Sequence, residues 1–461
     1  MIEAGVAAGH PATTAAGVET LAAGGSAADS AVAAALASCV AETVMTGLLG
    51  GGHALYYDAA GGRAHNLDCF VAVPGLGAEA RGTELEHLDV PFGAEVVRYA
   101  IGAASCGVPG LPAGLVALWQ AHGRLPWETL VEPALALARD GVELPPAHAA
   151  CLAMLAPVMT MNEGAEMYAP GGRLLAAGER LHQPALVDAL QSLAADPATA
   201  YTGAIAAELL ALSDDRGGLL TRRDLESYEA RWSEPLACDY LDYRLLTRGG
   251  LSRMPETVVR LPPLDRNDPT GRVLALVDVL EAPSSGGGDT TNVTVVDGDG
   301  DVCVLTSSLG LGSGDYLPAS GLHLNSMLGE TDLLHGPLVP GERMGSMMAP
   351  TLVSDGDGPV LAAGAAGGTR LRTALLGVIS GVLDEGLSAE EAVARPRFHP
   401  APEVVNAEPG VDETALGLLE RRGRTVRRWP AQHHYFGGVS VVSRSGAAGD
   451  PRRDGSAATL R

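Results

Sequence analysis

Aromatic residues are scarce in this sequence. Phenylalanine, tryptophan and tyrosine together make up 4% of its 461 residues, although the hydrophobic share is 46%. A core of that size must be built mainly from alanine, valine and leucine, whose small side chains let helices and sheets pack closely. The 60 glycines are spread among the hydrophobic segments, which indicates many tight turns rather than disorder.

Basic residues are outnumbered by acidic ones. The sequence has 31 lysines and arginines against 55 aspartates and glutamates, a formal net charge of −24. Such a surface repels phosphate groups and anionic lipids, which argues against nucleic acids and membranes as partners. The apolar segment 31–40 is shorter than the roughly 20 residues that span a bilayer. Because the N-terminus lacks the basic start and apolar core of a secretory signal, we expect a cytoplasmic protein.

Paired metal ligands and phosphate loops are also missing. The six cysteines lie far apart, and His433 and His434 have no partner at zinc-binding spacing. Neither glycine triplet, at 50–52 or 286–288, is followed by Lys-Ser or Lys-Thr, and the sequence has no Gly-x-Ser-x-Gly motif. We therefore expect no disulfide, no metal and no cofactor.

The first half of the chain has a helical pattern. Apolar residues spaced three and four apart predict helices over 26–37 and over much of 112–220. Residues 245–289 are rich in proline, glycine and charge, and we interpret them as a connector with one short helix at 273–280.

Strands are predicted in the second half. Apolar segments at 292–296 and 302–307 flank a Gly-Asp turn, and 351–354 and 359–363 flank another. A helix at 371–383 follows. Antiparallel hairpins covered by helices predict a layered mixture of helices and sheets built from both halves.

The Gly-rich segment 286–288 leads directly into Asp289 and Thr290, at the start of a predicted strand. If the chain cuts itself between them, Thr290 becomes a new N-terminus carrying both a hydroxyl nucleophile and an α-amine. An α-amine has a pKa of roughly 7.7–8, so it can accept the hydroxyl proton near neutral pH. The alternative is a glycine linker before an ordinary threonine-rich strand.

Acyl transfer through a threonine also needs donors for the oxyanion. Gly367 and Gly368 lie between a predicted strand and a predicted helix, where backbone N–H groups favour negative charge. Ser308 ends the strand expected to pair with that of Thr290, and Ser346 lies in a Met-rich segment. An ordinary turn and ordinary serines would give the same pattern.

Eight segments follow one another in an informative order. They lie at 24–34, 50–52, 108–114, 290–297, 324–327, 367–370, 396–399 and 450–454. They include Gly-Gly-Ser-Ala-Ala-Asp at 24–29, Thr-Thr-Asn-Val-Thr at 290–294 and Asp-Pro-Arg-Arg-Asp at 450–454. Together they resemble the γ-glutamyltransferase family of self-cleaving N-terminal-nucleophile hydrolases, over most of the chain.

The resemblance implies an α+β fold, a four-layer αββα sandwich with an added helical layer. It implies that cleavage between Asp289 and Thr290 gives a large segment, 1–289, and a small segment, 290–461, which stay associated. It makes Thr290 the nucleophile and assigns the oxyanion hole to Gly367 and Gly368. Ser308 takes the place of a threonine that bonds the nucleophile in the family.

The donor-binding positions depart from the family pattern. The resemblance implies that Phe70 replaces an arginine for the donor carboxylate, and that Gly310 replaces an asparagine for its amine. Ser326 replaces a glutamine or glutamate, and Glu330 lies one residue beyond a lost aspartate, which it is the candidate to replace. Of two serines on the carboxylate, Ser346 remains and the second is now Met347. Because charge-assisted bonds are lost, we expect a less charged acyl group than γ-glutamate.

The function that follows is a self-processing acyltransferase or hydrolase. It would cleave a small-molecule, amide-linked acyl donor and pass the acyl group to water or an amine, with glutathione hydrolysis and γ-glutamyl transfer as the family activities. The alternatives are an acylase of the cephalosporin-acylase type, a hydrolase of another acyl bond in a natural-product pathway, and an uncleaved, non-catalytic binding relative.

Overall fold

The computed structural model describes residues 2–78, 85–92, 95–280, 289–334 and 336–460. The glycine segment 286–288, on which the cleavage hypothesis partly rests, lies outside these residues. Asp289 and Thr290 lie within them and begin a strand.

Two antiparallel sheets form the centre of the structure. In spatial order the first consists of β20 (Ser456–Thr459), β1 (Gly5–Ala8), β11 (Asp289–Val296), β12 (Val302–Gly310), β2 (Gly51–Asp58), β3 (Arg63–Cys69) and β8 (Arg231–Ser233). The second consists of β19 (Gly446–Ala448), β18 (Gly438–Ser443), β14 (Gly358–Ala366), β13 (Thr351–Asp355), β10 (Tyr243–Thr247) and β9 (Leu236–Tyr240).

Smaller pairings complete the strands. They are the hairpin β4 (Glu86–Phe92) and β5 (Glu95–Ile101), the short pair β6 (Val142–Glu143) and β7 (Arg180–Leu181), and the group β15 (Phe398–Pro400), β16 (Val404–Ala407) and β17 (Thr425–Arg428).

The two main sheets pack face to face through small and branched apolar side chains. Leu55, Val296 and Val302 of the first sheet share one buried cluster with Leu352 and Ala362 of the second. Since alternate residues of a strand point to opposite faces, each sheet leaves its other face for helices.

Helices cover those outer faces, or pack on other helices and on the smaller strand pairs. In chain order they are α1 (Pro11–Ala22), α2 (Ala27–Ala41), α3 (Leu111–His122), α4 (Trp127–Asp140), α5 (Pro146–Met159), α6 (Gly164–Tyr168), α7 (Pro184–Ala195), α8 (Thr199–Thr202), α9 (Ala204–Asp215), α10 (Arg222–Glu226), α11 (Met254–Val258), α12 (Pro269–Leu280), α13 (Leu371–Leu383), α14 (Ala389–Ala394) and α15 (Glu413–Arg421).

Helix α2 packs directly against the first sheet, and every one of its residues is buried. Its alanine-rich sequence allows this, because small side chains bring the helix axis close to the strands. Ser26 and Asp29 form a reciprocal capping box at its start, Ser26 Oγ accepting from Asp29 N at 3.1 Å. Helix α4 packs on the outer side of α2, and α7 packs on α4. On the other side, α13 packs against β14 and β18 of the second sheet, and α12 and α15 pack against each other in the same apolar cluster. None of the helices in the described part of the chain is both long and apolar enough to cross a membrane.

The mixed fold of helices and sheets expected from the sequence is confirmed, and helices α2, α4 and α13 lie where the sequence predicts helix. The interpretation of 245–289 as an irregular connector is only partly right. Residues 245–247 belong to β10, which pairs with β13, and helices α11 and α12 follow. Strand β1 was missed as well. Both strands are short. β1 pairs only with strands far away in the chain, β11 and β20, and β10 pairs with the neighbouring β9 and with β13, about 100 residues away, which local sequence does not report.

Candidate active site

Thr290 is the second residue of β11 and is buried. Side chains of β11 alternate between the two faces of the sheet. Thr294 Oγ1 donates to the Ser440 carbonyl of the second sheet at 3.0 Å, so Thr290 and Asn292 share that side of the strand. Thr291 points the opposite way, to the helical layer, where its hydroxyl donates to Glu42.

A bulge interrupts the pairing beside Thr290. Asp289 pairs with Gly310 and Thr291 with Ser307, so β12 has two residues, Ser308 and Leu309, opposite the single Thr290. Bulges re-aim side chains and often occur beside active sites. Here the irregular stretch carries both of the hydroxyl residues that the sequence singled out.

A narrow cavity of about 30 Å³ opens onto this bulge. It is lined by Phe70, Thr290, Ser308, Met327, Glu330, Asp332, Leu333, Ser346, Met347, Met348, Gly368, Thr369 and Leu371. Seven of the residues predicted from the sequence therefore meet in one pocket: Thr290, Ser308, Gly368, Phe70, Glu330, Ser346 and Met347. Gly367, Gly310 and Ser326 are adjacent in the chain or in space but do not line it.

Ser308 is held in place by backbone contacts. Its hydroxyl accepts a hydrogen bond from Gly310 N at 3.0 Å, and its residue pairs with Gly51 of β2. A side chain on Gly50 would collide with the Ser308 carbonyl oxygen. The glycine triplet at 50–52 thus serves close approach of β2 to the Ser308 strand rather than phosphate binding.

The glycine pair forms the turn between β14 and α13. Gly367 has a φ of +121° and Gly368 a φ of +54°, and a Cβ atom on Gly367 would lie 2.8 Å from the Gly437 Cα. Glycine is therefore required at 367 for both conformation and space. The turn places backbone N–H groups at a helix N-terminus beside the pocket, a position that favours negative charge.

Glycine at 310 makes room for an acid. A Cβ atom there would lie 2.7 Å from both Glu330 Oε1 and Ser326 Oγ, so the Glu330 carboxyl occupies the space that a side chain at 310 would fill. Ser326 itself faces the loop, where its Oγ accepts from Leu311 N at 3.1 Å. Glu330 thus enters the pocket from the position that the sequence proposed for it.

Phe70 is buried and stacks on His53, with ring centroids 5.4 Å apart. Burial, reinforced by the positive charges of Arg248 and Arg343, holds the pKa of His53 well below its usual value. A neutral histidine behind a phenylalanine ring is poorly placed to act as a base for Thr290.

The two arginines near Phe70 have other partners. Arg343 lies over the Tyr228 ring, 4.0 Å from its centroid, with Nε 3.5 Å from Asp68 Oδ1. Arg248 donates to the carbonyl oxygens of Ser346 and Met348 at 3.2 and 3.1 Å, and burial lowers its pKa to about 10. Among the described residues that line the pocket, the ionisable side chains are the two acids Glu330 and Asp332.

Two groups beside Thr290 and Thr291 were not predicted from the sequence. Arg453 Nη1 donates to the Thr290 carbonyl at 3.4 Å, and Glu42 bonds the neighbouring Thr291. Arg453 belongs to the segment 450–454, which carried the resemblance without a role. The other basic residue of that segment is structural: Arg452 makes a buried ion pair with Glu408 at 2.5 Å.

Five of the six cysteines offer no rival nucleophile. Burial raises the pKa of the thiols of Cys39, Cys69, Cys106, Cys238 and Cys303. For Cys39, the nearest of them to Glu42 in sequence, the pKa rises to about 12.

Facing sheets with helices on their outer sides, and a pocket at a strand-initial threonine beside a glycine turn, are typical of N-terminal-nucleophile hydrolases. The model of the family described as gamma-glutamyltranspeptidase matches residues 13–268 and 269–460. The chain therefore belongs to the gamma-glutamyltranspeptidase family, and the resemblance inferred from the motifs is confirmed.

Individual relatives cover nearly the whole chain. Acylase ACY 1 proenzyme of Pseudomonas sp. (strain SE83) is 27% identical over 94% of this chain and 88% of its own length. Glutathione hydrolase proenzyme of Bacillus subtilis is 25% identical over 96% of this chain and 90% of its own length. The crystal structure of cephalosporin acylase from Bacillus halodurans covers 100% of this chain and 96% of its own, with a TM-score of 0.83 at 24% identity. The relatives thus include hydrolases of two donor types, and the fold is shared.

Proposed function

We propose that this protein is a self-processing N-terminal threonine acylase that cleaves an amide-linked acyl donor through an ester on Thr290. The observation that carries the proposal is the convergence of Thr290, Ser308 and Gly368 on one pocket. Membership in a family whose relatives are named as proenzymes supports self-processing.

Maturation begins with attack of Thr290 Oγ1 on the Asp289 carbonyl carbon. The Oγ1–C bond forms, the C–N bond breaks, and the hydroxyl proton passes to the departing nitrogen. Water then hydrolyses the ester, which leaves a carboxylate on Asp289 and a free α-amine and hydroxyl on Thr290.

The two segments produced, 1–289 and 290–461, would remain together because both main sheets draw strands from each. β11 and β12 of the small segment lie between β1 and β2 of the large one, and β13 of the small segment pairs with β10. We include in the proposal the four-layer αββα order, with α4 and α7 as the added helical layer.

Turnover uses the liberated amine as the base. The amine takes the proton from Thr290 Oγ1, which attacks the donor carbonyl, and the oxyanion is stabilised by backbone N–H groups of Gly367 and Gly368. The leaving amine takes that proton as the C–N bond breaks. Water or an acceptor amine then attacks the ester and regenerates the Thr290 hydroxyl.

The lining of the pocket favours an acylase over a glutathione hydrolase. A γ-glutamyl donor carries an α-carboxylate, and the described pocket residues offer it no cation but two acids, Glu330 and Asp332. Each charge-assisted hydrogen bond that is lost costs about 1.5–3 kcal/mol. Phe70 and Met347 instead present apolar surface to the acyl group.

Gel electrophoresis and donor assays test the proposal. Purified wild-type protein should give two fragments that end at Asp289 and begin at Thr290, whereas Thr290→Ala should give one uncut chain. Thr425→Ala, at an exposed threonine of β17, is the matched control and should be cut like the wild type. An uncut, inactive wild type would instead identify a binding relative.

Release of aniline from apolar acyl anilides should exceed that from a γ-glutamyl anilide, and the reverse order would support glutathione hydrolysis.

A further inference from the structure

A carboxyl group lies beneath the nucleophile on the other face of β11. Glu42 follows α2 and is buried. Its Oε1 accepts from Thr13 Oγ1 at 2.6 Å, and its Oε2 accepts from Thr291 Oγ1. The Glu42 carboxyl thus links Thr13 of α1 to Thr291, the residue after the proposed nucleophile. Burying a carboxyl without such partners is unfavourable, so these two hydrogen bonds hold it in this position.

The space around this pair is closed by a glycine. A Cβ atom on Gly9 would lie 2.8 Å from Thr291 Oγ1 and would collide with Glu42 Oε2. The loop between β1 and α1 therefore passes directly over the hydrogen bond and excludes a side chain there. Gly9 is part of the arrangement that keeps the Glu42 carboxyl against Thr291.

The charged and titratable groups that face Glu42 come from several elements. Arg453, from the C-terminal 450–454 segment, favours its ionised form, and Cys39 lies one turn earlier on α2. His148 lies beside Arg453, with its Nε2 3.0 Å from the Arg453 carbonyl, and adds no charge because burial lowers its pKa to about 3.

Fixing Thr291 also fixes Thr290, since the two share a peptide plane and point to opposite faces of the strand. Arg453 adds a second restraint through the Thr290 carbonyl at 3.4 Å. Thr290 is thus restrained by one contact to its own carbonyl and one to the side chain of the next residue, while the residue itself lines the pocket on the other face.

We infer that Glu42, as a carboxylate, is the positioning residue that aims Thr290 Oγ1 at the Asp289 carbonyl during self-cleavage. The inference rests on the proposed function, since it presupposes that Thr290 attacks that bond. Protonation would turn one of the two acceptor oxygens of Glu42 into a donor and would release one of the threonine hydroxyls.

This assignment predicts a pH dependence of maturation. Burial raises the pKa of Glu42 to about 7, opposed by the hydrogen bonds from Thr13 and Thr291 and by Arg453. The carboxylate form therefore prevails above that pH, so self-cleavage should be slow in acid and should accelerate as the pH rises through neutrality. Before cleavage the Thr290 nitrogen is an amide that does not titrate. The rise of the cleavage rate with pH therefore cannot come from the α-amine, which exists only after cleavage.

In the experiment, the full-length chain is made by cell-free synthesis with a labelled amino acid, and its cleavage is followed over time. Samples are shifted to buffers between about pH 5.5 and about pH 8.5, a range that brackets the raised pKa of the buried Glu42 carboxyl. The wild-type rate should rise about tenfold per pH unit below neutrality and then level off. Glu42→Gln should be between about 10- and 100-fold slower at the upper pH, the usual effect of misplacing a reacting group, and its rate should be independent of pH.

A second pair of variants guards against misfolding of Glu42→Gln. Thr291→Val removes the hydroxyl and should slow cleavage about tenfold or more, whereas Thr291→Ser keeps it and should stay near the wild-type rate, with thermal melting as a check on the fold. A Glu42→Gln chain cut at the wild-type rate and with the wild-type pH profile would overturn the inference alone, as would equal rates for Thr291→Val and Thr291→Ser. A wild-type chain that is uncut at every pH would overturn the proposed function, and the inference with it.

Discussion

The pocket at Thr290 has two sides that are built differently. The nucleophile side is made by the backbone of central elements. Thr290 and Ser308, on paired strands, and Gly368 line this side, and Gly367 lies next to Gly368 in the turn between β14 and α13. Each of these positions is constrained by a bulge, a left-handed φ or a close backbone approach, which leaves few residue types that fit.

The donor side is made by side chains. Its members are Phe70, Glu330, Asp332, Ser346 and Met347, which lie at the end of β3 or in segments between strands. No strand pairing fixes the residue type there, and the resemblance to the family implies that an arginine, an asparagine and a second serine are replaced. We infer that this chain keeps the geometry of the proposed reaction where the backbone sets it, and that its acyl donor differs from γ-glutamate where side chains line the pocket.

The largest effect is expected on the nucleophile side, at Gly367. In Gly367→Ala the new Cβ would press on Gly437 and move the oxyanion donors, so kcat should fall on the order of 100- to 1,000-fold. Gly386→Ala is the matched control, because Gly386 also has a positive φ, +63°, but open space around it, and should cost only about 1 kcal/mol of stability. Equal loss of activity in both variants would show that the turn at Gly367 and Gly368 does not supply the oxyanion donors.

An intermediate effect is expected on the donor side, at Glu330. If its carboxylate binds an ammonium group on the acyl donor, Glu330→Gln should lower kcat/KM between about 10- and 100-fold for an α-amino-acyl anilide, the value of one charge-assisted hydrogen bond. The same anilide without its amino group should be affected much less. A uniform decrease for both donors would show that Glu330 shapes the pocket without recognising charge.

The smallest effect is expected from Ser308, which joins the two sides. Removal of its hydroxyl in Ser308→Ala should reduce kcat about tenfold, the range of one buried hydrogen bond. Ser308→Thr restores the residue implied by the family and should stay within about threefold of the wild type, since its hydroxyl can take the same partner, Gly310 N. Should Ser308→Ala retain full activity, the serine would be a packing residue of the bulge.

The residues on the nucleophile side could be singled out from the sequence because their motifs are local. A glycine pair between a strand and a helix, and a threonine at a strand start, are visible as short patterns, and the structure brings Thr290, Ser308 and Gly368 together. The donor side was found only by comparison with a family pattern.

What the sequence could not show depends on long-range contacts. Asp332 lines the pocket, and Glu42 reaches Thr291 although the two are far apart in the chain. Strands β1 and β10 likewise exist because of partners elsewhere in their sheets. A clue to Glu42 was present: it is an acid between an alanine-rich buried helix and a glycine triplet, where burial is expected and charge is not.

The central claim, an acyl ester on a liberated N-terminal threonine, is tested most directly by mass spectrometry of acid-quenched turnover. The account predicts that the small fragment begins at Thr290 and carries the donor acyl group on that residue. Fully active protein with the bond between residues 289 and 290 intact, or an acyl adduct on any other residue, would contradict it.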